Sequence, residues 1–326
     1  MANEPTIKDL REASERIRPF VHRTPILTCR TLNEMCDAEI FFKCENFQKV
    51  GAFKIRGATN AVFSLSQEEA KKGVATHSSG NHAAALALAA RWRGTKAYVV
   101  MPENAPEVKR NAVAHYGAEI VFCKPTLKAR EEQLSKVVGR TGAAIVHPYN
   151  DHRVIAGQGT AALELCEEVT KLDTVMTPVG GGGLLSGTAI AVGALSPKTH
   201  VIAAEPERAD DAFRSFHAGK IIPADNPDTI ADGLRTSLGD LTFPIIKRHV
   251  KDILTVSEEG IVKAMRTIWE RMKIIVEPSA AVPLGVLLGR RPEFLGKRIG
   301  VILSGGNVDL ADLPWIGKEP GSRGSV

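Results

Sequence analysis

Two short stretches of this 326-residue chain carry residue types that could do chemistry together. In the first, an apolar run, Thr174–Pro178, leads through Val179 into four consecutive glycines (Gly180, Gly181, Gly182 and Gly183), and a helical pattern begins at Leu184. Without Cβ atoms, successive glycine N–H groups can curl around an anion, and a helix start adds its partial positive charge. The turn therefore reads as a phosphate cup. A plain tight turn needs one glycine, which leaves four hard to explain without a ligand. In the second stretch, Lys54 stands at a helix start in Gly51-Ala-Phe-Lys-Ile-Arg-Gly57, directly after Phe53. A lysine held there and partly desolvated would be neutral often enough to attack a carbonyl and form an imine.

Other phosphate sites fit less well. A Walker loop needs G-K-[ST] where this chain has Leu184 and Leu185. A dinucleotide fingerprint fails at its third glycine, where Leu185 or Ser186 falls, although Glu205 ends the next strand where a ribose-binding acid would sit. A non-catalytic or NAD-binding α/β protein is thus the weaker alternative. Thr76-His-Ser-Ser-Gly-Asn-His82 opens another helix. Ser78 and Ser79 suit an N-cap, and the same helix start suits a carboxylate.

The lysine segment, the Ser78–His82 loop, the glycine tetrad and Ser304-Gly-Gly-Asn307 together resemble the fold-type II pyridoxal-phosphate (PLP) enzymes. More narrowly they resemble the serine racemase and serine/threonine dehydratase group, in order from about Ile17 to Leu310. The resemblance implies two parallel-type α/β domains with PLP between them. It implies Lys54 as the Schiff-base lysine and base at Cα, Phe53 against the ring, Gly180 to Gly183 on the phosphate, Asn81 on the ring hydroxyl and Ser304 at the pyridine nitrogen. Ser78, Ser79, Asn81, His82 and Arg130 would meet the substrate, with Ser79 across the ring from Lys54, which opens racemisation beside elimination. His82 reads more as a helix support than a catalyst. The implied activity is dehydration of serine, threonine or 3-hydroxyaspartate, against a β-replacement alternative of the cysteine synthase type. Those enzymes carry Thr-Ser-Gly-Asn-Thr where this chain has Ser-Ser-Gly-Asn-His. For a second substrate carboxylate, Arg153 and Arg235 are candidates by composition alone. The resemblance also implies a divalent cation (Mg²⁺, Mn²⁺ or Ca²⁺) on Glu205, the Ala209 carbonyl and Asp211, an all-oxygen set. An acidic helix start explains the same residues without a metal. Family members are usually homodimers.

The elements that would position these residues alternate between short strands and longer helices, the pattern of parallel α/β architecture. Expected strands are 39–44, 74–77, 97–101, 119–122, 144–147, 174–178, 200–205 and 298–303. Expected helices are 55–66, 81–93, 107–116, 127–138, 157–170, 184–195 and 258–272, with Pro106 and Pro278 in first-turn positions. Residues 69–150 are expected to form a small domain, 1–68 with 151–320 a larger one, and 321–326 a frayed tail, with the glycine and charge content from Ile316 onward favouring fraying. Apolar residues are 44% and charged residues 24%, ordinary for a globular protein. The net charge of +5 comes without basic runs, which argues against nucleic acid. No apolar run is long enough for a membrane, and the amphipathic start resembles no secretory signal. Five cysteines without paired spacing fit reduced thiols in the cytoplasm. The expected partner is a small amino acid.

Overall fold

A computed structural model describes residues 4–315, so the tail expected to fray lies outside the described residues. The strands are β1 (Ile26–Leu27), β2 (Glu39–Cys44), β3 (Val74–His77), β4 (Ala97–Pro102), β5 (Glu119–Cys123), β6 (Ala144–Ile145), β7 (Thr174–Pro178), β8 (His200–Pro206), β9 (Asp252–Val256) and β10 (Arg298–Leu303). The helices are α1 (Ile7–Ile17), α2 (Arg30–Cys36), α3 (Lys54–Phe63), α4 (Gln67–Lys72), α5 (Asn81–Arg93), α6 (Glu107–His115) and α7 (Leu127–Thr141). They continue as α8 (His152–Glu168), α9 (Gly183–Leu195), α10 (Asp211–Ala218), α11 (Thr242–His249), α12 (Glu258–Met272) and α13 (Pro278–Leu288).

Two sheets organise them. The larger has order β1-β2-β10-β7-β8-β9, and only the two-residue β1 runs antiparallel. The smaller, β5-β4-β3-β6, is wholly parallel. Strands covered on both faces read as unbroken apolar runs, and β7 is buried at every position. α9 and α13 are likewise apolar on most sides and buried along nearly their whole length.

Local chemistry sets the helix starts. Thr6 with Asp9 and Ser66 with Glu69 form capping boxes on α1 and α4. Asp151 caps α8 through the Arg153 amide, so that helix begins at His152 rather than at the expected 157. Glycines let α8 touch both neighbours at backbone distance: a Cβ on Gly157 would stand 2.6 Å from the Gly57 Cα, and one on Gly187 only 2.5 Å from the Gly159 nitrogen. Beneath α3 lies a buried ionic cluster. Arg56 donates to Glu45 at 2.7 and 2.8 Å and to Glu164 at 2.7 and 2.9 Å, while Lys43 reaches Glu164 at 2.6 Å. Two cations match two carboxylates, and removing one partner of such a set costs about 3–5 kcal/mol.

Several expectations need correction. The strand expected over 144–147 ends at Ile145, because Pro148 offers no ladder donor and the chain turns around the His147 ring. β1 and β9 were not anticipated; each is a short edge strand with little pattern to read. Pro278 occupies the first turn of α13, but Pro106 stands one residue before α6 as its N-cap. Neither Ser78 nor Ser79 caps α5: the N-cap is Gly80, without a side-chain bond, and Ser78 Oγ accepts only the Gly80 amide, at 3.4 Å.

Candidate active site

The lysine loop, the glycine turn and the Ser304 turn all follow the carboxyl ends of parallel strands, where open α/β sheets place ligands. β10 runs between β2 and β7, so its exit at Ser304 lies between the lysine loop and the glycine turn. The Phe53 amide donates to the Ser304 carbonyl at 3.0 Å, and Gly306 donates to Gly51 at 2.9 Å. Gly51 has φ +70°, and a Cβ there would meet Asn307 at 2.4 Å. The segment carrying Lys54 is thereby stitched to the end of β10.

Lys54 is the first residue of α3, its ammonium 5.1 Å from the Phe53 ring centroid. Its Nζ donates to the Pro148 carbonyl at 2.9 Å. Burial lowers its pKa to about 8, against the opposing pull of Glu277. At neutral pH roughly a tenth of such an amine is unprotonated, far more than for an exposed lysine.

Tyr149, one residue beyond the lysine's acceptor, touches the glycine turn. A Cβ on Gly181 would stand 2.3 Å from the Tyr149 ring, and one on Gly183 would stand 3.0 Å from the Tyr149 backbone and Cβ. Gly182 has φ +88°, and a Cβ on Gly180 would meet the Leu234 Cα at 3.0 Å. Each glycine therefore has a steric reason inside the protein, and their number alone does not require a ligand. The case for an anion rests instead on α9, whose N-cap Gly182 supplies no side chain to the first-turn amides. Tyr149 donates to or accepts from Thr236 Oγ1 at 2.9 Å, and Thr242 Oγ1 donates to the Gly181 carbonyl at 2.8 Å. An amine able to form an imine, held on the Pro148 carbonyl, and an uncapped helix start packed against the adjacent Tyr149 together make a donor set that fits an aldehyde bearing a phosphate.

α5 offers a second uncapped start, at Asn81. Asn81 Nδ2 donates to both carboxylate oxygens of Glu277 at 3.1 Å, and its Oδ1 accepts from Asn307 Nδ2 at 2.9 Å. Glu277 is buried, its pKa pushed up to about 7 by that burial. His82 is buried, its ring Nε2 meeting the Val146 carbonyl at 3.1 Å. Ser79 is half-buried in the same turn. Arg130 Nε is buried without a partner among the described residues, and burial together with the Arg130 charge holds His77 below the usual imidazole range. Arg153 is taken up by Asp151 at 2.6 Å, and Arg235 by the Thr229 carbonyl, so both composition candidates are committed elsewhere.

Sequence reasoning missed Glu277, His147, Tyr149 and Thr236. A glutamate before a first-turn proline signals only a helix start, and the other three enter from loops that no motif marks.

Near the cup, Glu205 accepts the amides of Ala212 and Phe213 at 2.9 and 2.7 Å, while both oxygens of buried Asp211 lack a partner. Burial pushes Glu205 up to about 9, with Asp211 adding repulsion, and burial pushes Asp211 up to about 7. Two buried carboxylates, one of them with both oxygens orphaned, are a fit for a cation. Among the described residues no group of three or more His, Cys, Asp or Glu side chains converges to hold one.

Comparison with known proteins bears directly on this geometry. A family model described as pyridoxal-phosphate dependent enzyme matches residues 17–305. The chain is 56% identical to the β-hydroxyaspartate dehydratase of Paracoccus denitrificans, over 95% of this chain and 99% of that protein. It is 48% identical to the L-threo-3-hydroxyaspartate ammonia-lyase of Saccharomyces cerevisiae, over 97% and 98%. The crystal structure of serine racemase from Dictyostelium discoideum superposes with a TM-score of 0.89 at 52% identity, covering 94% of this chain and 99% of that one. The nicotinamide alternative falls, and the chain belongs to the pyridoxal-phosphate dependent enzymes of fold type II, with that cofactor as its reactive group.

Proposed function

We propose that the chain is a dehydratase (ammonia-lyase) of β-hydroxy-α-amino acids, yielding an oxo acid and ammonia. The observation that carries this reading is the desolvated Lys54 amine, hydrogen-bonded to the Pro148 carbonyl beside the tyrosine that packs on the glycine turn. PLP, when bound, supplies an electron sink that makes the substrate Cα–H bond acidic. The amides of Gly180 to Gly183 would hold its phosphate, and Phe53 would pack along its ring. Lys54 Nζ takes the Cα proton. Ser78, Ser79 and the first-turn amides of α5 bind the α-carboxylate. Glu277 and Asn307 fix the Asn81 amide that meets the ring hydroxyl. Ser304 would offer the pyridine nitrogen a neutral partner, an arrangement that would favour prompt loss of a β-substituent. Ser79 Oγ, on the face opposite Lys54, can return a proton to Cα and so racemise serine as a second outcome.

Within the substrate class, 3-hydroxyaspartate stands first. Two relatives at 56% and 48% identity are named for it, and Arg130, whose Nε has no partner among the described residues, offers charge for a second carboxylate. We further propose that Glu205, Asp211 and the Ala209 carbonyl hold Mg²⁺, Mn²⁺ or Ca²⁺ in a structural role, supported by the orphaned Asp211 oxygens. Residues 69–150 are proposed as a small domain and 1–68 with 151–320 as a large one, in line with the two sheets. A homodimer is proposed, supported by exposed Phe47 and Ile275 on adjacent loops joined through Asn46. A cytoplasmic location fits five free cysteines, and no helix among the described residues is long and apolar enough to cross a membrane.

The test is a substrate panel (3-hydroxyaspartate, serine, threonine, and O-acetylserine with sulfide) read for oxo acid, cysteine and the chirality of remaining substrate. Oxo acid from the hydroxyamino acids, strongest with 3-hydroxyaspartate and lost in Lys54→Ala, is expected. Cysteine formation without oxo acid would replace this reading with β-replacement.

A further inference from the structure

His147 stands among the three parts of the site. The residue after it, Pro148, accepts Lys54 Nζ at 2.9 Å. Its ring meets His77, which leads into the serine loop, edge-on at 5.6 Å, and meets Tyr149, which packs on the glycine turn, edge-on at 4.6 Å. Its Nδ1 accepts the Asn150 amide at 2.9 Å and the Tyr149 amide at 3.4 Å. Backbone N–H groups can only donate, so Nδ1 carries a lone pair and the ring proton belongs on Nε2. No protein group among the described residues accepts from that Nε2–H. Protonating Nδ1 would turn it against two amides and set a new cation beside Lys54 and His77; burial, with His77 and Lys54, outweighs Asp151 and Asp240, and the pKa falls to about 4. The ring is a neutral donor with one direction to give.

We infer that His147 donates its Nε2–H to the oxygen on the substrate's Cβ and stabilises the hydroxyl as it departs. The inference rests on the dehydratase reading and names a residue within it. In the step concerned, the Cα–H bond breaks and its electron pair becomes the Cα–Cβ π bond. The Cβ–O bond breaks with its pair on oxygen, and oxygen leaves as water with the abstracted proton. His147 contributes a hydrogen bond throughout and keeps its own proton. A neutral imidazole suits this task better than binding a second carboxylate, which calls for a cation such as Arg130. Removing one preorganised donor of this kind costs about 10²–10³ in rate.

Two measurements test the assignment. In holoenzyme labelled with ¹⁵N-histidine, the resonance that vanishes in a His147→Phe variant should report a neutral, Nε2-protonated ring from about pH 5 to 8, where an ordinary histidine changes charge. Kinetics then compare leaving groups. His147→Phe should lower kcat on 3-hydroxyaspartate or serine by about 100-fold with KM little changed. Its loss on β-chloroalanine should be at least about tenfold smaller, because chloride departs without a hydrogen-bond donor. His147→Gln, with an amide N–H of similar reach, should recover much of the rate. A ring that titrates near about pH 6.5, or equal losses on chloride and hydroxyl substrates, would overturn the role of His147. If wild-type holoenzyme dehydrates none of the hydroxyamino acids, the dehydratase reading fails first, a different and recognisable result.

Discussion

At the scale of single residues, the site is a set of pKa values displaced by burial. Lys54 is lowered to about 8 by desolvation while Glu277 nearby is raised to about 7 by the same cause. A lysine shifted downward holds fewer protons when folded than when unfolded between its folded and ordinary values. Its neutral, reactive fraction therefore grows as pH rises toward about 8 and is nearly complete above it. Apoprotein mixed with PLP should bind it covalently at a rate rising about tenfold per pH unit below that value and levelling above it, followed by the visible absorbance and fixed by borohydride. A rate that keeps rising to about pH 10 would mean an ordinary exposed lysine. Lys54 was legible in the sequence because its flanking motif is dense with glycine and aromatic residues. Glu277 was not, since its role comes only from Asn81, 196 residues away in the chain.

Among the elements, β7, the glycine turn and α9 form the unit that was easiest to read, because an apolar run, four glycines and a helical pattern follow one another without interruption. The reason for the glycines was read incompletely. Tyr149 fills the space beside Gly181 and Gly183, and that loop lies about 30 residues upstream, at a contact only tertiary folding creates. Gly181→Ala should place a methyl against the Tyr149 ring at a cost of about 1–3 kcal/mol and weaken PLP binding by about tenfold or more. Adding Tyr149→Ala should relieve much of that loss, as measured by PLP titration. If the double variant binds no better than the single one, the ring is not what excludes the side chain. The Ser-Ser pair shows the opposite limit: good capping residues failed to cap because Gly80 took the N-cap position.

Across the whole molecule, the Glu205–Asp211 pair ties β8 to the start of α10 through buried carboxylates, with both Asp211 oxygens lacking a hydrogen-bond partner among the described residues. Chelator-treated protein with PLP retained should melt at a temperature lower by roughly 3–6 °C, recovered by Mg²⁺ or Mn²⁺ and not by Na⁺. An unchanged melting temperature, with no metal found by elemental analysis before treatment, would remove the cation. The alternation of strands and helices made the class of fold readable, while the two-residue β1 and the edge strand β9 carried too little pattern to register. The sheet order carries a consequence for biosynthesis. Glu39 pairs with Arg298, so the nascent chain exposes β2 on the ribosome until nearly all of it has been translated, a wait on the order of tens of seconds. The four strands between Val74 and Ile145 find their partners locally and are free to close during that wait. Translation that stops short of β10 leaves both β2 and β7 with open edges, so shortened products of this gene are expected to be clients for chaperones and proteases rather than partly active enzymes.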